Sequence, residues 1–219
     1  ISNTGLDLVI ANRNAPLQSV LSGSAAEIQR AATLFNENGI NAKQLQVAGA
    51  FHSSLVAEAA APFLAALEEV EFRPPRIPAY ANSIAAEYPA DPDSARALLA
   101  NQLARPVEFM AEIEAMYAAG VRVFVEVGPG ARLTGLVSAI LGERDHSAVA
   151  MDASNGKRSG MADLARLLAR LAVLGYDLNL AIWDGDRTSP MANGKKPAMT
   201  IPICGANYVK PRPQKAPVA

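Results

Sequence analysis

The sequence predicts an α/β protein built in two parts, on three observations. From Leu6 to Val70, strand-like runs alternate with amphipathic helical runs. From Ala79 onward, short apolar strands alternate with longer helical periodicities. Between the two lies Arg73-Pro74-Pro75-Arg76-Ile77-Pro78, an extended crossing in which neither pattern continues. Half of the 219 residues are hydrophobic and 19% are charged, enough for a sizeable core. The length suits one large domain or two small ones.

In the first part, Leu6 to Ala11 reads as a short apolar strand, and Asn12-Arg13-Asn14-Ala15-Pro16 breaks it with turn chemistry. Leu17 to Leu21 is a second strand ending at Ser22-Gly23. Ser24 then suits an N-cap, with Glu27 at capping-box spacing. The helix behind it carries Ile28, Ala31, Leu34 and Phe35 and stops near Asn38-Gly39. Lys43 to Ala48 is the third strand, and it turns at Gly49 into Ala50-Phe51-His52-Ser53-Ser54, where either serine can cap a helix. That helix, Leu55 to Val70, contains Pro62, which should bend or restart it. Residues 1–73 therefore fit an open-faced α+β sandwich of ferredoxin-like type.

In the second part, Ala79 to Asn82 is strand-like. Asp91-Pro92-Asp93 opens a helix to about Leu103, with proline just inside the start and acids on the first turn. Val107 to Ala119 is a further helix ending on Gly120. Val121 to Val127 is the strongest strand, β-branched or aromatic at five of seven positions. Gly128-Pro129-Gly130 and a helix through Leu133, Leu136, Val137 and Ile140 follow it. Ala148 to Met151 is another strand, and Asp163 to Leu174 a helix closed by Gly175. Strands separated by helices imply a parallel sheet over residues 74–183. Residues 184–219 hold six prolines and six Lys/Arg against two acids, without a cluster, and read as a linker.

The net charge of −1 makes no case for nucleic acid or a membrane surface as partner. No apolar run is long enough for a membrane span. A single cysteine, Cys204, suits a reducing compartment and a cytoplasmic location. The chain opens on Ile1-Ser2-Asn3-Thr4 without a signal pattern, and reads as a piece of something longer.

His52 is the first candidate for chemistry. A histidine at a strand-to-helix corner is held from both sides while its ring can face a cleft, and imidazole titrates near pH ~6.5, which suits a general base. The bland alternative is a hydrogen-bonded structural histidine. His146, at a strand start, reads as a surface residue. With two histidines and one cysteine, none at ligand spacing, no metal site is expected. Gly128-Pro129-Gly130 sits where anions bind in α/β folds but lacks the phosphate-loop ending, so a tight structural turn is favoured. No Gly-x-Ser-x-Gly elbow occurs. If His52 is a base, its nucleophile comes from outside these residues.

Four segments, in order, resemble the malonyl-CoA:acyl carrier protein acyltransferase family, the loading domain of fatty-acid and polyketide synthases. They are Ile10-Ala11-Asn12-Arg13-Asn14-Ala15-Pro16 with Val20-Leu21-Ser22-Gly23; Gly49-Ala50-Phe51-His52-Ser53; Asn101-Gln102-Leu103-Ala104-Arg105-Pro106-Val107; and Val125-Glu126-Val127-Gly128-Pro129-Gly130 with Leu133-Thr134-Gly135-Leu136. The tail Ala206-Asn207-Tyr208-Val209-Lys210-Pro211 is similar to the segment after this domain in bacterial iterative synthases of enediyne or polyunsaturated acyl chains. The resemblance implies part of an α/β-hydrolase-like large subdomain with a ferredoxin-like small subdomain. It implies transfer of malonyl from malonyl-CoA, through an acyl-serine, to the phosphopantetheine thiol of an acyl carrier protein, with no permanently bound cofactor. In the family's pattern His52 is the base, oriented by a backbone carbonyl that maps onto Gln102. Asn14 and Asn12 line the pocket, and Phe51 matches the position that favours malonyl over methylmalonyl. The serine, the carboxylate-binding arginine and the first oxyanion loop are expected in an N-terminal half of the same domain, which would be a partner of this chain. A non-catalytic scaffold piece that grips carrier or linker segments stays open as the other reading.

Overall fold

The computed structural model describes residues 5–45, 51–180 and 182, apart from the side chains of 54 and 55. The chain divides into two compact units, Ile1–Arg170 and Leu171–Ala219. The linker expected over 184–219, with Cys204, lies outside the described residues.

In the first unit, β1 (Leu8–Ala15) pairs antiparallel with β2 (Gln18–Gly23). Leu8 faces Gly23, Ile10 faces Leu21 and Ala15 faces Gln18, with register shifts between Ile10 and Asn12 and between Arg13 and Ala15. The turn expected over Asn12–Pro16 is therefore corrected: the strand runs through Asn12, Arg13 and Asn14. The cause is a second partner. Arg13 N–H donates to Val107 O at 2.8 Å, and Val107 N–H donates to Ala11 O at 2.8 Å. This parallel bridge between Asn12 and Val107 keeps a polar stretch extended that its own residue types would turn. At the far end, a Cβ on Gly23 would lie 2.5 Å from Leu8 Cδ2 and 3.0 Å from Asp7 O. Glycine is what lets the two strands close there.

Helix α1 (Ala25–Glu37) starts on Ser24, whose Oγ accepts from Glu27 N–H at 3.3 Å. The Glu27 carboxylate accepts the Asp7 N–H at 3.0 Å, tying the lead-in of β1 to the helix. That amide first, and Arg30 second, hold the Glu27 carboxyl below the ordinary range. Leu6, Leu8 and Ala31 are buried between β1 and α1, with Leu21, Ile28, Leu34 and Phe35 packed on them. The strand expected over Lys43–Ala48 is absent over residues 43–45, and its remainder lies outside the described residues. Asn36 exchanges two side-chain bonds with Ala42, at 3.0 and 3.1 Å, which hold this loop to α1 instead of freeing it for a ladder. A 3-10 helix (Ser54–Ala59) then passes into α2 (Ala60–Glu68). Pro62 is the third residue of α2, where its missing N–H has no intrahelical partner to lose.

Residues 71–79 are irregular, as the prolines require. The strand expected at Ala79–Asn82 shortens to β3 (Tyr80–Ala81), which pairs with an unforeseen β4 (Ala86–Glu87). Tyr88 N–H then donates to Ala79 O at 2.7 Å. Helix α3 (Pro92–Asn101) starts on Asp91, whose carboxylate accepts from Ser94 N–H at 2.8 Å. It passes into a 3-10 turn, Gln102–Ala104. Helix α4 (Phe109–Ala118) begins two residues later than expected, because Val107 is engaged with β1.

β5 (Val123–Pro129) and β6 (Ser147–Asp152) are parallel, with Val123 opposite Ser147 and Glu126 opposite Ala150. Helix α5 (Arg132–Leu141) makes the crossover, and α6 (Gly160–Val173) follows β6. The main core gathers Ala15 of β1, Ile113 of α4 and Val137, Ile140 and Leu141 of α5, with Phe109 and Phe124 against it. β1 therefore contributes to both apolar clusters of the unit. In the second unit, Tyr176 N–H reaches Leu171 O at 3.1 Å and Gly175 has φ 86°, a glycine stop where the sequence places one.

Candidate active site

His52 is gripped by the chain just after α3. Its main-chain N–H donates to Leu103 O at 2.9 Å. Its ring Nδ1 lies 3.1 Å from Gln102 O and 3.2 Å from Arg105 O. Both are carbonyl oxygens, which only accept, so in the neutral ring Nδ1 carries the proton and Nε2 keeps its lone pair. The ring is half-buried. The residue has φ 60°, in the left-handed region, which costs a non-glycine residue on the order of 1 kcal/mol. Three carbonyls from one short segment hold it there.

That segment is itself fixed. Gln102 O also accepts Arg105 N–H at 3.3 Å, closing the 3-10 turn. Two residues on, Val107 is bonded to β1, and Glu108 N–H donates to Asn82 O at 2.7 Å. The Glu108 carboxylate pairs with Arg13. On the other side, the Tyr88 hydroxyl donates to Gln102 Oε1 at 3.3 Å. Burial, and then the nearby charge of Glu112, push the Tyr88 hydroxyl up from its ordinary value. Burial alone pushes the Glu112 carboxyl up. Among the described residues, Asn82 Oδ1 and Ser83 Oγ are buried without a hydrogen-bond partner.

Of the residues singled out in the sequence, the structure brings His52 and Gln102 together directly. Asn12 is joined to them through the segment 102–107. Asn14 is half-buried on the same strand, and Phe51 is exposed. Among the described residues neither is hydrogen-bonded to His52. Ser53 is buried, and its carbonyl accepts Val56 N–H at 3.3 Å at the start of the 3-10 helix. His146 is half-buried, with Nδ1 2.7 Å from Arg144 O.

Gly128-Pro129-Gly130 closes β5. Gly130 has φ 88° and donates to Asp152 O at 2.9 Å. The start of α5 behind it is already filled by a carboxylate of the chain itself. Glu126 accepts from Arg132 N–H at 3.2 Å and from Thr134 N–H and Oγ1 at 2.8 Å each. Burial opposes the charge on Glu126, but these bonds, led by the Thr134 amide, outweigh it and hold the carboxyl below its ordinary range. A phosphate cradle at this helix start would have to displace Glu126, so the turn is structural. Among the described residues no group of three or more His, Cys, Asp or Glu is placed to hold a metal ion, and no helix is long and apolar enough to cross a membrane.

Reading residue types does not find the Leu103 and Arg105 carbonyls or the Tyr88 contact. Main-chain oxygens carry no residue signal, and Tyr88 stands 14 positions from its partner. Glu126 did carry one: a lone charge inside an apolar strand, eight residues before its Thr134 donor.

Residues 4–175 match the family described as acyl transferase domain. A polyunsaturated fatty acid synthase subunit of Thraustochytrium sp. is 31% identical over 94% of this chain, which covers 7% of that protein. The malonyl CoA-acyl carrier protein transacylase of Bacillus subtilis is 34% identical over 64% of this chain and 44% of its own length. Among solved structures, the acyltransferase domain from the second module of the salinomycin polyketide synthase is similar with a TM-score of 0.72 at 26% identity, over 90% of this chain and 45% of that one. The chain thus spans less than half the length of each.

Proposed function

The chain belongs to the acyl transferase domain family, and from that premise we propose that it forms the histidine-bearing half of a domain that moves malonyl from malonyl-CoA to an acyl carrier protein. The observation that carries this reading is the His52 ring, fixed through Nδ1 by the Gln102 and Arg105 carbonyls so that Nε2 is free to take a proton. The similar Bacillus subtilis protein is a malonyl CoA-acyl carrier protein transacylase.

In the proposed cycle, His52 Nε2 takes the proton of a serine hydroxyl as the serine oxygen attacks the malonyl thioester carbon. The carbon–sulfur bond breaks, and the CoA thiolate leaves with the proton that His52 returns. The phosphopantetheine thiol of the carrier protein then loses its proton to His52 and attacks the acyl-serine. The ester bond breaks, and His52 reprotonates the serine. Backbone amides outside this site would hold the oxyanion. Asn12 and Asn14 would line the pocket, and Phe51 would flank the α-carbon of the acyl unit. No permanently bound cofactor is needed, and a cytoplasmic setting suits the lone Cys204.

We assign the serine to an N-terminal half of the same domain that packs on this chain. Two features support it. β5–β6 is a two-stranded parallel sheet among the described residues, and parallel sheets are normally covered on both faces. Val125 and Val127 of β5 and Leu133 of α5 are exposed beside a cleft lined by Phe109, Ile113 and Met116. In the proposed organisation, 1–73 is a ferredoxin-like small subdomain, 74–183 is part of an α/β-hydrolase-like large subdomain, and 184–219 is the following linker. The test is acyl transfer from malonyl-CoA by the chain recombined with such a half. His52→Ala should lower turnover at least ~100-fold. Unchanged turnover would overturn the assignment of the base.

A further inference from the structure

The grip on His52 has a side-chain anchor that the proposed chemistry does not use. Gln102 bonds His52 through its main-chain oxygen, 3.1 Å from Nδ1. Its side chain points the other way, and its Oε1 accepts the Tyr88 hydroxyl at 3.3 Å. Tyr88 is well founded for this. Its N–H is bonded to Ala79 O at 2.7 Å, at the open end of the β3–β4 hairpin, and its ring stands in a cleft with Phe72, Pro92, Ala95 and Leu99. The 3-10 turn it reaches, Gln102–Ala104, is three residues long, with Arg105 N–H bonded to Gln102 O at 3.3 Å behind it. A 3-10 turn this short, with a long bond behind it, gains a further constraint on its carbonyls from a side-chain bond to Tyr88.

We propose that Tyr88 is a positioning residue: through Gln102 Oε1 its hydroxyl fixes the 102–105 turn, and the carbonyls of that turn set the orientation and tautomer of His52. This rests on the reading of His52 as the base only for its catalytic consequence, since the tautomer is set whether or not the ring does chemistry. The bond leaves no trace in residue type, because its two partners come from a hairpin and from the end of α3.

Nitrogen-resolved NMR of the 219-residue chain tests it. The sequence has two histidines, so a His146→Gln background leaves His52 alone in the spectrum. Recorded on the alkaline plateau of the ring's own titration, the two nitrogens report the tautomer of the neutral imidazole. The unaltered site should show the proton on Nδ1. Tyr88→Phe and Gln102→Leu should each raise the Nε2–H population about twofold or more, and the double variant no further, because both cut one bond. Gln102→Glu, whose carboxylate still accepts from the hydroxyl, should keep the original ratio. An unchanged ratio in both single variants, with dispersed amide spectra, overturns the proposal. If Tyr88→Phe does not fold, Gln102→Leu decides alone.

In the complete acyltransferase domain, Tyr88→Phe should lower kcat about fivefold with KM for malonyl-CoA unchanged. A tautomer shift without loss of kcat would keep the tether and sink the assignment of His52 as base. A loss of kcat without a tautomer shift would sink the tether and leave that assignment standing.

Discussion

Glu112 and Phe51 each carry a prediction that belongs to a single side chain. Glu112 is 8% exposed, and burial pushes its carboxyl above the ordinary 4.5. A raised carboxyl binds its proton more readily folded than unfolded, so its charge weakens the fold at neutral pH, and the penalty fades as pH falls through the raised value. Glu112→Gln should therefore raise Tm at pH 7 and make no difference below pH 4.5, as thermal melts across that range would show. Phe51 stands one position before His52 and is 54% exposed. Phe51→Ser should shift competition between malonyl-CoA and methylmalonyl-CoA toward the branched substrate by 1–3 kcal/mol at most, about 10–200-fold. An unaltered product ratio would count against the steric role. His52 itself was suggested by its corner, and Gln102 by the family's motif. The oxygens that hold the ring belong to the backbone, which every residue shares, so no reading of side chains finds all of them.

At the scale of elements, the ends of helices carry much of the organisation. Arg96 of α3 donates to Leu67 O at 3.1 Å, in the last turn of α2, and to Val70 O at 3.0 Å just beyond it. The same guanidinium bonds Asp93 at 2.8 Å and lies 5.3 Å from the centre of the Phe72 ring. One side chain thus binds the end of one helix, braces another and packs against Phe72 beside the proline-rich crossing. Arg96→Ala should cost about 1–2 kcal/mol in denaturant unfolding, and Arg96→Lys should recover only part of it, since a point charge lacks the planar fork. Helix starts were legible because their chemistry is local: Ser24 and Asp91 cap from within three residues, and each is bonded as its spacing implies. The continuation of β1 and the late start of α4 were not, because both follow from one bridge across 95 positions, Asn12 to Val107. Window-by-window reading sees three polar residues and a proline, and calls for a turn. The ladder wins because each strand residue gains main-chain bonds that a turn would leave to water.

On the scale of the whole molecule, the α/β class and the parallel pairing across a crossover helix, seen in β5 and β6, were legible from alternating periodicities, while the β3–β4 hairpin was not. Among the described residues the sheets have two strands each. Val125 and Val127 on one face of β5 are exposed, Val127 at 75%, and parallel sheets are normally covered on both faces. The isolated chain should therefore self-associate as its concentration rises, and the proposed N-terminal half should suppress that association. Sedimentation velocity over a dilution series, with and without that half, would show it; a monomer at all concentrations would count against a missing cover. β1 has a consequence of another kind. Its first edge is completed by β2 within a few residues, but its second edge and the burial of Ala15 wait for Val107 and for Ile113, Val137 and Leu141. During synthesis at roughly 5–20 residues per second, the nascent strand would leave the ribosome half-paired for several seconds before its distant neighbour emerges. A polar Asn12-Arg13-Asn14 stretch on that open edge would offer premature partners a poor template until Val107 arrives.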